Sequence, residues 1–442
     1  MFNLTTLALS LSSTQTALIA AICVGVACGL LGSFVVVRRV ALVGDALSHA
    51  VFPGVVAGFI WNTERNPWVI FAFAVTAGLL GIAVVRAITK STRLKSDAAL
   101  GIVLASFFGI GVLWNSTNQQ AGVKEFLYGN LAAVTNANLL LMVSSTVVIV
   151  VLVMIFLRPF WVLSFDEGFA MGLDYPVKIL NGIFFGLLAF AVVVAMQAVG
   201  VILVSAMLIT PAATAYLLTD RLRKMMIVAV CFGVVSSVSG WWISGQYMGV
   251  AVGPIIALMS AAIFGIVYFF APHHGVLAKV MRHSRRRTRV QRENTLKAIY
   301  RLIESDGYKD TGVSVQELAT ARKMTLEHAR KDGADLVKNA EATWEEGGTA
   351  IYLTASGWRR AVEIVRNHRL WELYLTSQAN YAADHVHEDA EKIEHVLSAD
   401  TVRMLERDLN FPEEDPHGKP IPSVAQTAGL EAVVGKQTET GY

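Results

Sequence analysis

Residues 40–61 read VALVGDALSHAVFPGVVAGFIW. As a helix rising 1.5 Å per residue, the stretch is about 33 Å long, enough to cross a hydrocarbon core of about 30 Å. It carries Asp45 and His49 in an otherwise apolar run. Four positions correspond to about 400° of helix, so the two side chains share a face, one turn apart. His49 is the tenth residue of the stretch, about 15 Å from its start and therefore near mid-bilayer. An ionisable pair at that depth costs several kcal/mol unless it faces the protein interior and is paired or coordinated. A carboxylate oxygen with an imidazole nitrogen suits Mn²⁺, Fe²⁺ or Zn²⁺. The plainer alternative is a helix-entry aspartate and a packing histidine. The pairing itself, followed by Pro53 and Gly54 that can loosen the helix beside it, favours metal handling.

Apolar runs of similar length recur on either side. Spans are expected at 14–37, 40–61, 68–88, 98–115, 138–157, 179–197, 199–218, 225–243 and 251–271, with a turn near 197–200 because 40 residues would reach about twice the core thickness. Nine spans put the termini on opposite sides. One set of connections carries eleven basic residues, among them Arg38, Arg39, Arg86, Lys178 and Arg221, against Arg65 and Lys124 in the other. The basic set belongs inside, which places the N-terminus outside and the C-terminus in the cytoplasm. Met1 to Ser13 lacks a basic stretch before its first apolar run, which argues against a cleaved signal peptide. Arg282 to Arg289 agrees with this orientation as a basic juxtamembrane segment facing anionic lipid, the plainer and favoured reading being a stop-transfer anchor. Composition agrees: the chain of 442 residues is 54% hydrophobic and 16% charged. Residues 1–289 carry a net charge of +11 and the remainder −8, so a membrane region precedes an acidic soluble one. Cys23, Cys28 and Cys231 all lie in apolar runs and read as small core residues, which excludes a disulfide framework or zinc ribbon. Gly25, Gly29 and Gly32 suit close helix packing, within the chain or at a dimer seam.

The run RRVALVGDALSHAVFPGVVAGF (38–59) resembles the second-helix motif of ABC transporter permeases for manganese, zinc and iron. The likeness continues through DAALGIVLASFFGIGVL (97–113), FDEGFAMGLDYP (165–176) and QAVGVILVSAMLITPAATAYLLTDRL (197–222). The resemblance implies that Asp45 and His49 bind the metal as it crosses. It also implies that the segment with Asp166, Glu167 and Gly172 is a short coupling helix that docks on the ATPase. No GxxxxGK[ST] phosphate loop occurs in the sequence, so ATP hydrolysis is expected in a separate ATPase subunit and this chain is not itself an enzyme. An extracytoplasmic metal-binding protein and a second permease copy are the other implied partners, in the inner (cytoplasmic) membrane.

From residue 290 the pattern changes. Leu296, Ile299, Tyr300 and Ile303 form one helical stripe. SVQELATARKM and TLEHARKDGADLVKN read as helix, turn, helix, and TWEEGGTAIYLT as a hairpin around Gly347 and Gly348. That order is a winged helix. Two further helices follow, SGWRRAVEIVRNHRLWELYL and VHEDAEKIEHVLS, and they concentrate metal-ligand residue types: His368 and Glu372 at i, i+4, then His387, Glu391, Glu394 and His395 on one face. With DPHGKPIP (415–422) the region resembles the metal-dependent repressors of the diphtheria-toxin-repressor class. The resemblance implies His368, Glu391, Glu394 and His395 as principal ligands of a sensed metal and Glu372 and His387 as ancillary ones. In the resembled family iron-sensing members carry a cysteine at the position of Glu391 and manganese-sensing ones a glutamate, so the resemblance, with the hard oxygen ligand, implies Mn²⁺. This sequence departs from the family at Asn294 and Lys297, where it expects ligands, and a protonated lysine cannot bind a cation. A salt-bridge network without metal is the alternative for these residues. The acidic net charge argues against DNA as a partner. In the candidate recognition helix, 325–339, Arg330, Lys331 and Lys338 face Glu327, Asp332 and Asp335, and Gly333 weakens the helix.

The expected organisation is an extracytoplasmic N-terminus (1–13), a transmembrane permease domain (14–272), a basic linker (273–289), a winged-helix-like domain (290–355), a helical metal-sensor and dimerisation-like region (356–422) and a disordered tail (423–442). The expected function is the permease subunit of an ATP-driven divalent-metal importer, Mn²⁺ ahead of Fe²⁺ or Zn²⁺, with no permanent cofactor and with a cytoplasmic metal-sensing domain. A membrane-tethered, metal-dependent DNA-binding regulator and an ATP-independent carrier are the competing classes.

Overall fold

The computed structural model describes residues 12–62, 66–118, 123–129, 131, 134–247, 251–377 and 399–422. The chain forms two compact units that divide between Lys279 and Val280.

The first unit is helical. Its described helices are α1 (Ser13–Val37), α2 (Ala41–Trp61), α3 (Pro67–Ser91), α4 (Ser96–Asn118), α5 (Val123–Tyr128), α6 (Asn136–Ile155), α7 (Leu157–Phe165), α8 (Glu167–Gly172), α9 (Val177–Val199), α10 (Val201–Tyr216), α11 (Leu222–Gln246) and α12 (Val252–Phe270). Eight are long and apolar enough to cross a membrane, at eight of the nine positions where spans are expected. The seventh expected span, 199–218, becomes α10, whose 16 residues reach about 24 Å, shorter than any of those eight. Gly200 makes the break between α9 and α10 at φ +87°, a conformation that L side chains rarely adopt. The turn therefore falls in the segment predicted for it.

The glycine ridge of α1 packs inside the chain. A Cβ at Gly25 would strike the backbone of Gly233 and Val234, one at Gly29 the backbone at Ala229, and one at Gly32 the carbonyl of Leu208. These glycines let α11 and α10 approach α1 at backbone distance, which decides between the two readings of the ridge. Cys23 and Cys28 are buried, whereas Cys231 is exposed; its expectation as a core residue fails because it faces away from α1 on the outer side of α11.

The second unit contains α13 (Val276–Ser305, which begins before the division), β1 (Gly312–Ser314), α14 (Val315–Ala321), α15 (Leu326–Lys338), β2 (Ala342–Trp344), β3 (Ala350–Leu353), α16 (Ala355–Ser377) and α17 (Ala399–Asp408). The strands form an antiparallel sheet in the order β1-β3-β2, with Val313 opposite Ile351 and Ala342 opposite Leu353. Leu296, Ile299, Tyr300 and Ile303 are buried with Leu318, Leu336, Ile351 and Trp358 in one core. Ser314 and Glu317 form a capping box at α14, and Thr325 caps α15, each satisfying orphan amides of a first turn. Gly333 does not break α15. A Cβ there would meet the side chains of Ile351 and Trp344, so the glycine is where the helix lies closest to the sheet. Gly348, at φ +65°, turns the β2–β3 hairpin where the sequence placed it.

Candidate functional site

Asp45 and His49 lie on one face of α2, which packs against α3 and α4. His49 Nε2 is 3.9 Å from Asp45 Oδ1, and the side chains are 17% and 38% exposed. The imidazole is held by shape: its ring meets Phe108 of α4 edge to face at 4.8 Å, and Phe108 in turn lies 5.5 Å from Phe52. Among the described residues the buried His49 Nδ1 has no hydrogen-bond partner. Pro53 lies inside α2 and carries no N–H, so the His49 carbonyl four residues earlier loses its helical donor. The helix nevertheless continues to Trp61 and is not interrupted at Pro53. To any one ion the pair offers carboxylate oxygen and a single imidazole nitrogen within one turn. Among the described residues no group of three or more His, Cys, Asp or Glu gathers as a closed metal cage. Two side chains leave several coordination positions of a divalent ion open, which suits an ion that must enter and leave.

The segment resembling a coupling helix is α8. Asp166 caps it by accepting a hydrogen bond from Phe169 N at 2.9 Å. Phe165, Phe169, Met171 and Leu173 are exposed, so this short helix presents an apolar surface. Glu167 accepts a hydrogen bond from Asn181 Nδ2 of α9 at 2.9 Å, and Asn181 Oδ1 accepts from the Arg38 guanidinium at 2.5 Å. Gly172 has no steric need to be glycine: a Cβ there would meet nothing within 4 Å among the described residues. Asn181 went unnoticed in the sequence, and Arg38 counted there only as a positive charge. Their meeting spans 143 positions, and no local pattern announces it.

In the second unit, α16 places His368 Nε2 3.0 Å from Glu372 Oε1, the side chains being 1% and 4% exposed. The donor set of this pair fits a divalent transition metal. His387, Glu391, Glu394 and His395 lie outside the described residues, as does the tail expected to be disordered. Lys297 is 4% exposed, and the Asn294 side-chain oxygen is buried with no hydrogen-bond partner among the described residues.

Beside His368, Arg369 binds both carboxylate oxygens of Glu304 at 2.9 and 2.5 Å and the carbonyl of Pro420 at 2.6 Å. Burial alone would lower this guanidinium, but Glu304, Tyr300 and Asp415 hold it above its ordinary value. Asp415 accepts from the amides of His417 and Lys419, each at 2.8 Å, and Arg366 binds Glu406 and the Pro422 carbonyl. The DPHGKPIP motif is thus a loop pinned to α16, a role that sequence spacing did not reveal.

This arrangement is that of a multi-pass membrane protein with a repressor-like C-terminal segment. Residues 10–271 match the ABC 3 transport family, and the chain belongs to that family. Residues 354–423 match the iron dependent repressor, metal binding and dimerisation domain. The manganese transport system membrane protein MntC of Bacillus subtilis (strain 168) is 34% identical over 402 residues, which is 89% of this chain and 92% of that one. The zinc transport system membrane protein TroC of Treponema pallidum (strain Nichols) is 35% identical over 277 residues, 61% of this chain and 93% of that one. Among solved structures, PsaBC from Streptococcus pneumoniae in complex with Fab superposes with a TM-score of 0.55 at 36% identity, covering 60% of this chain and 94% of that one. Both resemblances read from the motifs, to metal permeases and to metal-dependent repressors, are borne out by these matches.

Proposed function

We propose that this chain is the permease subunit of an ATP-driven importer of a divalent transition metal, Mn²⁺ ahead of Fe²⁺ and Zn²⁺, and that Asp45 and His49 bind the ion in transit. The observation that carries the reading is the half-open carboxylate and imidazole pair on α2, with one imidazole nitrogen buried and unpartnered among the described residues. Relatives named for manganese transport cover the permease region, and one covers most of the chain; others are named for zinc and chelated iron. In this reading α10 with its flanking residues completes a ninth passage, so the N-terminus is outside and the basic connections and second unit are inside. A separate ATPase docks on α8, an extracytoplasmic protein delivers the ion, and a second permease copy pairs with the first.

The second unit, in the same reading, is a winged-helix domain followed by a metal sensor. Rising cytoplasmic metal fills the site that includes His368 and Glu372, together with Glu391, Glu394 and His395, and inhibits transport. Its acidic net charge argues against DNA binding. The decisive test is Mn²⁺ uptake by His49→Ala in proteoliposomes: uptake is lost while co-purification with the ATPase persists. Wild-type uptake by this variant removes the proposed site.

A further inference from the structure

The corner between α1 and α2 is held by more than its length requires. Val40 N donates to Val35 O at 3.0 Å and Arg39 N to Val36 O at 3.1 Å, the paired bonds that close a helix end when the residue after the cap is left-handed. Arg39 occupies that position at φ +56°, where a non-glycine residue costs roughly 1 kcal/mol. Asp45 follows four residues after Ala41, about 6 Å along α2. A displacement of Arg38 is therefore passed to the start of the helix that carries Asp45 and His49, with little slack between them.

Arg38 is in turn gripped from the side of α9. Its guanidinium lies 4.6 Å from the ring centroid of the buried Phe184 and 5.9 Å from that of Phe185, a cation–π arrangement that fixes its plane. One of its nitrogens donates to Asn181 Oδ1, and the Asn181 amide donates onward to Glu167. Glu167 is the first residue of α8. Asn181 is the only link in this chain of contacts that both accepts and donates, so the polarity is set: cation, amide, carboxylate. An amide can serve both neighbours, whereas a carboxylate in its place would serve Arg38 and repel Glu167.

We propose that Arg38, Asn181 and Glu167 form a polar latch that couples movement of α8 to the metal-bearing helix α2, with Asn181 as its positioning residue. The proposal rests on the reading of α8 as the ATPase-docking helix. None of the three belongs to the proposed metal pair. The latch converts a push on α8 into a shift at the α1–α2 corner.

The test uses the full-length chain reconstituted with its ATPase and reads Mn²⁺ taken up per ATP hydrolysed. Asn181→Asp keeps the acceptor for Arg38 and sets a carboxylate against Glu167. It is expected to lower the ratio about fivefold, in the range of ordinary coupling energies, while ATP hydrolysis continues. Glu167→Gln alone still accepts from Asn181 and has a small effect. The double variant Asn181→Asp/Glu167→Gln restores the contact with its polarity reversed, because the new amide donates to the new carboxylate, and the ratio returns toward wild type. A purely structural role for Asn181 predicts no such rescue. A wild-type ratio in Asn181→Asp, or a double variant no better than Asn181→Asp, overturns the latch. Crosslinking through Met171→Cys addresses the docking reading separately: a crosslink to the ATPase supports it, and a well-coupled wild-type transporter whose variant gives none overturns the docking reading and the latch with it. Loss of uptake in His49→Ala beside an unchanged ratio in Asn181→Asp sinks the latch and leaves the metal site standing.

Discussion

The same carboxylate and imidazole pair, one helical turn apart, occurs in both units in opposite states. On α2 the Asp45 and His49 atoms are 3.9 Å apart and the side chains are partly open; on α16 His368 and Glu372 are 3.0 Å apart and almost wholly enclosed. Identical spacing therefore says nothing about tenure. In the proposed reading, the pair braced by an aromatic edge and left partly open is the one that passes an ion. In the same reading, the pair closed upon itself, beside an arginine that bonds Glu304 and the 415–422 loop, is the one that senses metal.

The largest expected break in this comparison is His49→Ala, which removes one of the two side chains proposed to bind the ion. Mn²⁺ uptake should fall at least about 100-fold, measured in proteoliposomes, with little change in metal binding by the second unit. The converse is Glu372→Gln, of nearly the same shape. Calorimetry on the full chain carrying His49→Ala should show binding weakened about tenfold or more, while uptake at low external metal by the single variant is retained. Uptake that collapses in Glu372→Gln would mean the two stations are not separate. A finer probe is Phe108→Leu, which keeps an apolar side chain and removes the edge contact to His49. A change in apparent metal affinity of about fivefold is expected from the worth of one aromatic contact, and none at all would assign His49 orientation to another cause.

The smallest effect lies away from both stations. Burial holds Glu341 above the usual carboxylate value, outweighing the lowering by Arg292 and Arg360. A carboxyl raised in the folded state binds its proton more tightly there. Its contribution to stability is thus fullest below the ordinary value and lost as pH rises through the raised one. Amide exchange at Ala342–Trp344 should quicken between those two pH values, and Glu341→Gln should flatten that slope.

Much of the architecture could be read directly. Eight of the nine expected spans appear as helices long and apolar enough to cross a membrane, the stripe at Leu296, Ile299, Tyr300 and Ile303 follows from helical period, and the hairpin follows from Gly347 and Gly348. The permease motif around Asp45 and His49 was equally plain, because a charge inside an apolar run stands out. Other features were hidden. The shortness of α10 depends on where α9 stops at Gly200, and α15 continues through Gly333 because Trp344 and Ile351 press against it. Arg38 with Asn181, and Arg369 with Asp415, are contacts between segments far apart in the chain, so no window of sequence contains both partners.

The amino-acid sequence by itself determined the division into a basic apolar half and an acidic amphipathic half, the helical periods, and the residue types that can hold a metal. Those are local properties, set by side-chain chemistry and backbone geometry over a few turns. Tertiary structure alone decided that the glycine ridge of α1 meets α11 and α10, that one histidine pair stands open while the other is closed, and that an arginine after the first helix reaches α8 through an asparagine. Packing and long-range hydrogen bonds depend on which distant surfaces meet, and that is settled only when the chain has folded.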